Sequence, residues 1–288
     1  MKFKAIFALF NGVLLVSFLL IFFMPFILLG GEAFSIFWDR NWIIGLVFLL
    51  TMGVLNAYFI ANWGLFRLLE KEDWPRLVSY LEERILGKNR IRAMPVRMLL
   101  NAYLVTSHTD GILALEAFLK KKRPRLIGRF CIQFGIPYLL MKDPVVSEAF
   151  FANVPAGASA YSRDWMRWNR AFCLLQLSKP DQARTELAHA LAGSAGDSVL
   201  NMLCLYLLDV LAKPETEDGV ESARSRDELR RRFGPEEMKK RIEKSSDNME
   251  VVVLSKIIED ARQWLYSDPG EPVVKPEAQA PADAAHDS

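Results

Sequence analysis

The sequence predicts an all-α fold: a two-helix transmembrane hairpin followed by an α-solenoid of helix–turn–helix repeats. Three observations predict it. Two charge-free apolar runs of 25 residues open the chain, at 5–29 and 42–66. From Arg67 to Leu211 apolar residues recur at helical rather than strand spacing, and Pro75, Pro95, Pro124, Pro137, Pro144, Pro155, Pro180 and Pro214 mostly fall where helices would start or stop. Within that region one spacing of small and large side chains returns. The expected organisation is a transmembrane hairpin at 1–66, helical repeats at 67–212, C-terminal helices at 213–266 and a disordered tail at 267–288.

The anchor follows from length. About 20 apolar residues, rising about 1.5 Å each, cross about 30 Å of hydrocarbon, and both runs exceed that. Trp38, Trp42 and Trp63 stand near their ends, where aromatic rings favour the membrane interface. A secretory signal peptide is the competing reading of the first run, with Lys2 and Lys4 in front and Gly31-Glu32-Ala33 behind. Its 25 apolar residues are too many for a signal core of about 7–15, so a retained helix is expected.

Basic flanks set the orientation. Lys2 and Lys4 precede the first span, and Arg67, Lys71, Arg76 and Arg84 follow the second. The intervening loop, Gly30 to Asn41, holds Arg40 against Glu32 and Asp39. Positive flanks stay inside. The chain is therefore expected to be integral to the cytoplasmic (inner or plasma) membrane, with both termini and the repeat domain cytoplasmic. Asn56 and Asn62 would hydrogen-bond to the partner helix. Neither span holds an Asp, Glu, Lys, Arg or His, which argues against a transporter.

The recurring pattern has offsets 0, 3, 12 and 16. It runs Ala102, Val105, Ala114, Phe118; then Gly135, Tyr138, Ser147, Phe151; then Ala171, Leu174, Ala183, Leu187. Small residues at 0 and 12 let two helices approach closely, and large ones at 3 and 16 fill the groove beside them. Asp73, Asp110 and Asp143 stand four residues before the second small position or its equivalent, where an N-cap accepts from the first free amides. The alternative is a non-repeating α-bundle.

On these residues, and most closely on Trp168-Asn169-Arg170-Ala171 through Asp181-Gln182-Ala183 to Ala190, the chain resembles the tetratricopeptide repeat family, whose period is about 34. The resemblance covers 67–212, about four units. The glycine after the family's first leucine is present only as Gly135, and the closing proline is out of position. The resemblance implies a protein-interaction module whose first helices line a concave face. Carried over, that face presents Leu99 and Tyr103, then Arg129, Ile132 and Ile136, then Trp165, Trp168 and Phe172, then Met202 and Tyr206. Tyr103, Arg129, Trp165, Trp168, Phe172 and Tyr206 are the expected partner contacts, since aromatics and arginine anchor interfaces. A stripe at i, i+3, i+7, such as Trp165, Trp168 and Phe172, is equally what a helix turns into its own core.

Beyond the repeats, 213–222 reads as a polar loop, and Ser225 with Glu228 as a capping box. Gly234-Pro235 ends that helix. A final helix from Asp247 to about Tyr266 carries an apolar stripe of Val251, Leu254, Ile258, Ala261 and Leu265. The stripe is expected to cap the open end of the repeats; lying in their groove is the alternative.

Charge is uneven. The net charge is +2, yet 66–213 holds 21 basic against 14 acidic residues. Lys120, Lys121, Lys122, Arg123 and Arg125 form the densest cluster, with Arg129 nearby. Such a cluster suits an anionic leaflet or is a solvated turn at a helix C-terminus. It lacks the interleaved aromatics that RNA binding favours, so no nucleic acid is expected.

No catalytic centre, cofactor or metal site is expected either. The three cysteines (Cys131, Cys173, Cys204) and three histidines (His108, His189, His286) show no ligand spacing, and no phosphate-loop or nucleophile-elbow motif occurs. The predicted function is a membrane-anchored, non-catalytic scaffold for a protein partner. A module that binds anionic lipid through 120–129 is the alternative.

Overall fold

A computed structural model describes residues 3–141, 143–212, 217–245 and 249–267. Every secondary-structure element among the described residues is helical, as expected. The tail at 268–288 and the start of the 213–222 segment lie outside the described residues. The chain divides into two compact units, Met1–Thr106 and Ser107–Ser288.

In the first unit, α1 (Phe3–Ala61) is one helical run broken at Gly30, whose φ of 84° and ψ of −178° are open essentially to glycine alone. The chain folds back there. Phe18 stacks on Phe48 at 5.2 Å, and Phe22 meets Trp38 edge-on at 5.8 Å. A side-chain bond of 2.7 Å from Asn56 Nδ2 to Asn11 Oδ1 joins the two limbs, the cross-helix pairing expected of a lone amide in an apolar span. Both limbs, Ala5–Met24 and Gly30–Ala61, are long and apolar enough to cross a membrane.

Two expectations are corrected. Residues 31–41 are helical, so the turn is one glycine and not a 12-residue loop. Glu32, Asp39 and Arg40 are all compatible with helix, and only Gly30 is needed to reverse the chain. The second limb ends at Ala61, five residues short of Phe66, the end of the charge-free run that it carries. Asn62 leaves helical geometry (φ −109°, ψ 13°), and α2 (Trp63–Glu70) is separate.

The first unit closes with α3 (Trp74–Glu82) and α4 (Ala93–Val105). Asp73 caps α3, accepting from the Arg76 amide, with Pro75 in the first turn. Tyr103 of α4 donates to Glu82 at 2.7 Å.

The second unit begins with α5 (Thr109–Lys122), α6 (Pro124–Arg129), α7 (Cys131–Leu140) and α8 (Pro144–Ala152). It continues with α9 (Ala160–Gln176), α10 (Pro180–Gly193) and α11 (Ser198–Leu211). The C-terminal elements are α12 (Glu217–Arg232), α13 (Pro235–Ser245), α14 (Met249–Val253) and α15 (Ser255–Tyr266). Sequential neighbours α7–α8, α8–α9, α9–α10 and α10–α11 pack together.

The small–large spacing marks those contacts in two of its three copies. A Cβ on Gly135 would sit 2.7 Å from the Phe151 ring, so glycine there sets how closely α7 meets α8. Ser147 Oγ donates to the Tyr138 carbonyl at 2.6 Å, and Asp143 caps α8 through the Val145 and Val146 amides. Ala171, Leu174, Ala183 and Leu187 are all buried between α9 and α10. In the remaining copy Val105 and Ala114 are exposed, and Asp110 lies inside α5 and not at its cap, which is His108.

The capping box is also corrected. Ser225 and Glu228 lie within α12, because the Glu- and Arg-rich stretch around them continues the helix past a merely local start signal. Gly234-Pro235 separates α12 from α13 as expected.

Candidate functional site

Tyr103 lies on α4 of the first unit; two regions of the second unit hold the other residues singled out as sites: the helices α7, α9 and α11, and the basic turn between α5 and α6.

On the first, the C-terminal segment covers the helices. α14 packs against α7, and α15 against α11 and α12. The segment thus reaches from the first helix of one predicted unit to that of another, where a cap on the end alone was expected. Its stripe of Val251, Leu254, Ile258, Ala261 and Leu265 is buried, with Ile257 and Trp264 beside it. Polar bonds fix the arrangement. Trp264 Nε1 donates to Asp209 Oδ2 at 2.8 Å, and Tyr266 donates its hydroxyl to the Phe233 carbonyl at 2.8 Å. Arg226 donates to the carbonyls of Trp264 and Ser267 and lies 5.0 Å over the Trp264 ring.

The aromatic residues expected on an open face are in the core. Trp165 and Trp168 are 1% and 0% exposed, and Tyr103 and Tyr206 1% each. Trp165 Nε1 donates to Asp197 at 3.0 Å, and Trp168 stacks on Phe172 at 5.7 Å. Tyr206 lies 5.7 Å from Trp264, and burial with Asp260 pushes its phenol up to about 12. Of the six expected contacts, Phe172 is half-buried and Arg129 exposed. Identical spacing serves a buried stripe and an anchoring one, so only tertiary packing separates them. The indole nitrogen of Trp168 and the side-chain amide of Asn169 are buried on α9 without a hydrogen-bond partner.

The basic turn is different. Lys120, Lys121, Lys122, Arg123, Arg125 and Arg129 are all exposed. Of these, Lys120 and Arg125 line a hollow of about 660 Å³, whose wall also includes Ile127, Tyr138, Val146 and Phe150. Tyr138 and Phe150 stack at 4.2 Å, 16° from parallel. Beneath them Glu116 is 2% exposed. Its carboxylate takes the Tyr138 hydroxyl at 3.0 Å and lies 2.6 Å from the Lys120 ammonium. Burial, with the Glu116 charge, pushes the Tyr138 phenol up to about 12. Sequence reasoning found the cations and missed the hollow, which forms where α5, α7 and α8 meet.

Elsewhere chemistry is sparse. Cys131, Cys173 and Cys204 are buried. Burial, with Glu148 nearby, pushes the Cys173 thiol up to about 12, and Cys204 rises for the same first reason. Among the described residues no group of three or more His, Cys, Asp or Glu could hold a metal ion.

Residues 111–267 match the profile of a family described as an uncharacterised Treponema protein. A relative from Treponema pallidum (strain Nichols), itself described only as an uncharacterized protein, is 27% identical over 285 residues. That alignment covers 92% of this chain and 88% of the relative. No solved structure matches.

Proposed function

The chain belongs to the family of the uncharacterised Treponema protein, and from that premise, which carries no activity with it, we propose a membrane-anchored, non-catalytic helical-repeat scaffold for a protein partner. The anchor rests on exposure. Side chains such as Ile27 and Leu50, 75% and 66% exposed, belong to an apolar surface far larger than a soluble chain leaves in water. A cleaved signal peptide would strip the second limb of its Asn11 bond and its phenylalanine contacts, which favours retention of both spans. Basic flanks favour both termini and the helical domain on the cytoplasmic side.

The tetratricopeptide-like reading is supported by the Gly135–Phe151 and Ala171–Leu187 pairs and by the caps at Asp73 and Asp143. It is further supported by left-handed turn residues at Glu72 and Ser178, which follow α2 and α9 at matching places.

One observation carries the binding role: the face of α7 and α11 already receives an amphipathic helix, the chain's own α14–α15. A partner for such a face is a helix with a similar stripe, docked by its i, i+3, i+4, i+7 side chains, and it would have to displace the resident one.

The test places a photocrosslinking residue at Tyr206, which lies 5.7 Å from Trp264, and a specific protease site at 246–248, in native membranes. Before cutting, the crosslink falls within the chain, on 249–267. After cutting and washing, it should pass to a second protein. Crosslinks that never leave the chain would end the scaffold reading.

A further inference from the structure

The basic turn and the hollow that its Lys120 and Arg125 line bring three features together in the second unit. The first is cationic: Lys121, Lys122, Arg123 and Arg125 are exposed, whereas Lys120 is engaged by the buried Glu116. The second is an apolar recess floored by the stacked Tyr138 and Phe150, with Ile127 and Val146 in its wall. The third is a set of exposed aliphatic side chains where α7 passes to α8. Leu140, Met141, Val145 and Val146 all project there, Val145 with 61% of its surface exposed.

Each candidate ligand class meets a different subset. A small inorganic anion has no use for the recess or the aliphatic fringe. An apolar peptide leaves the cations unpaired. Single-stranded nucleic acid needs free aromatic faces, and here the two rings stack on each other. An anionic phospholipid uses all three: its phosphate meets the cations, the start of its acyl chain enters the recess, and the aliphatic fringe dips into the leaflet.

We infer that the second unit docks on an anionic leaflet through this side, with a phospholipid headgroup at Lys121, Lys122, Arg123 and Arg125 and its apolar part between Tyr138, Phe150 and Val146. The inference rests on the membrane anchor and is independent of the protein-partner reading. Glu116 has a positioning role. Its carboxylate, neutralised by Lys120 and bonded to Tyr138, holds the ring that floors the recess. The anchor keeps the site close to lipid, so modest affinity suffices, as for any second contact of a tethered module.

The test uses the full chain in nanodiscs, with an environment-sensitive fluorophore on Val145→Cys. The native cysteines are buried and stay unlabelled. In discs of phosphatidylcholine with phosphatidylglycerol the emission should shift to the blue relative to phosphatidylcholine alone. The shift should disappear in high salt and when Lys121, Lys122, Arg123 and Arg125 are changed to Glu. Val146→Asp, also at an exposed position, should weaken the shift while leaving the cations in place. Helical circular dichroism of each variant checks that the domain is folded.

An equal shift in both lipids would mean apolar insertion without headgroup recognition and overturns the inference. So does the absence of any shift, or a shift produced by adding an RNA homopolymer to phosphatidylcholine discs.

Discussion

The indole nitrogen of Trp264 lies 2.8 Å from Oδ2 of Asp209, a hydrogen bond between residues 55 positions apart. The other oxygen of Asp209 accepts from Ser222 Oγ at 2.8 Å. One carboxylate on α11 therefore holds both α15 and α12. Trp264→Phe keeps an aromatic ring but leaves Oδ2 of the half-buried Asp209 without this donor, a loss of about 1 kcal/mol. Hydrogen exchange across 249–266 should quicken in that variant, while exchange in α9 and α10 stays as it was. Unchanged protection of α15 would show that the bond contributes nothing to holding the segment.

Gly193 lies against a buried acid. A Cβ there would sit 2.2 Å from Oδ2 of Asp164, a carboxylate 6% exposed on α9. Gly193→Ala should lower the melting temperature, in line with about 1–3 kcal/mol for forcing an atom into a packed site. Gly196→Ala is the control, since nothing lies within 4 Å of its added Cβ. Equal melting temperatures for the two variants would refute the close approach of α10 to α9.

Asp164 also predicts a pH dependence. Burial raises its carboxyl above the usual range, against the pull of Arg167 and Arg163. The folded state therefore holds this proton more tightly than the unfolded chain does. The resulting stability is complete below the unfolded value of about 3.9 and is lost as pH rises through the folded one. Asp164→Asn removes the charge that neutral pH imposes. It should melt higher than the wild type at neutral pH, with the gap closing as pH falls toward about 4. A gap that widens in acid would reverse the sign and defeat the argument.

The hairpin turn depends on one residue. Gly30 has no atom within 4 Å of an added Cβ, so Gly30→Ala is resisted by backbone conformation alone, at about 1–3 kcal/mol. Cysteines placed at Asn11 and Asn56, which touch at 2.7 Å in the wild type, should crosslink less in lipid when Ala replaces Gly30. Equal yields would mean that the limbs pair without help from the turn.

Much of this fold is legible in the sequence where one physical cause dominates. Charge-free length marks the two limbs, proline and aspartate mark the starts of α3 and α8, and the stripe from Val251 to Leu265 marks a helix that must be covered. Legibility fails where two causes share a pattern. Glu32, Asp39 and Arg40 look like loop because they are charged, but charge does not interrupt a helix. Ser225 and Glu228 look like a helix start but sit in the middle of α12. Trp165 and Trp168 have the spacing of an anchoring stripe and of a core stripe alike, and burial alone distinguishes them. The basic cluster is visible as composition. The hollow beside it needs Lys120, Tyr138 and Phe150 brought together from three helices, which no local pattern encodes.

Topology is the most direct test of a helical domain held on the cytoplasmic face by two spans. Single cysteines at Ser35, beside the hairpin turn, and at Lys121, in the basic turn, can be probed with a membrane-impermeant maleimide. The three native thiols are buried, and burial raises Cys173 and Cys204, so they give little background. The account predicts labelling at Ser35 in sealed cells and at Lys121 only after permeabilisation. Labelling of Lys121 in sealed cells would contradict it.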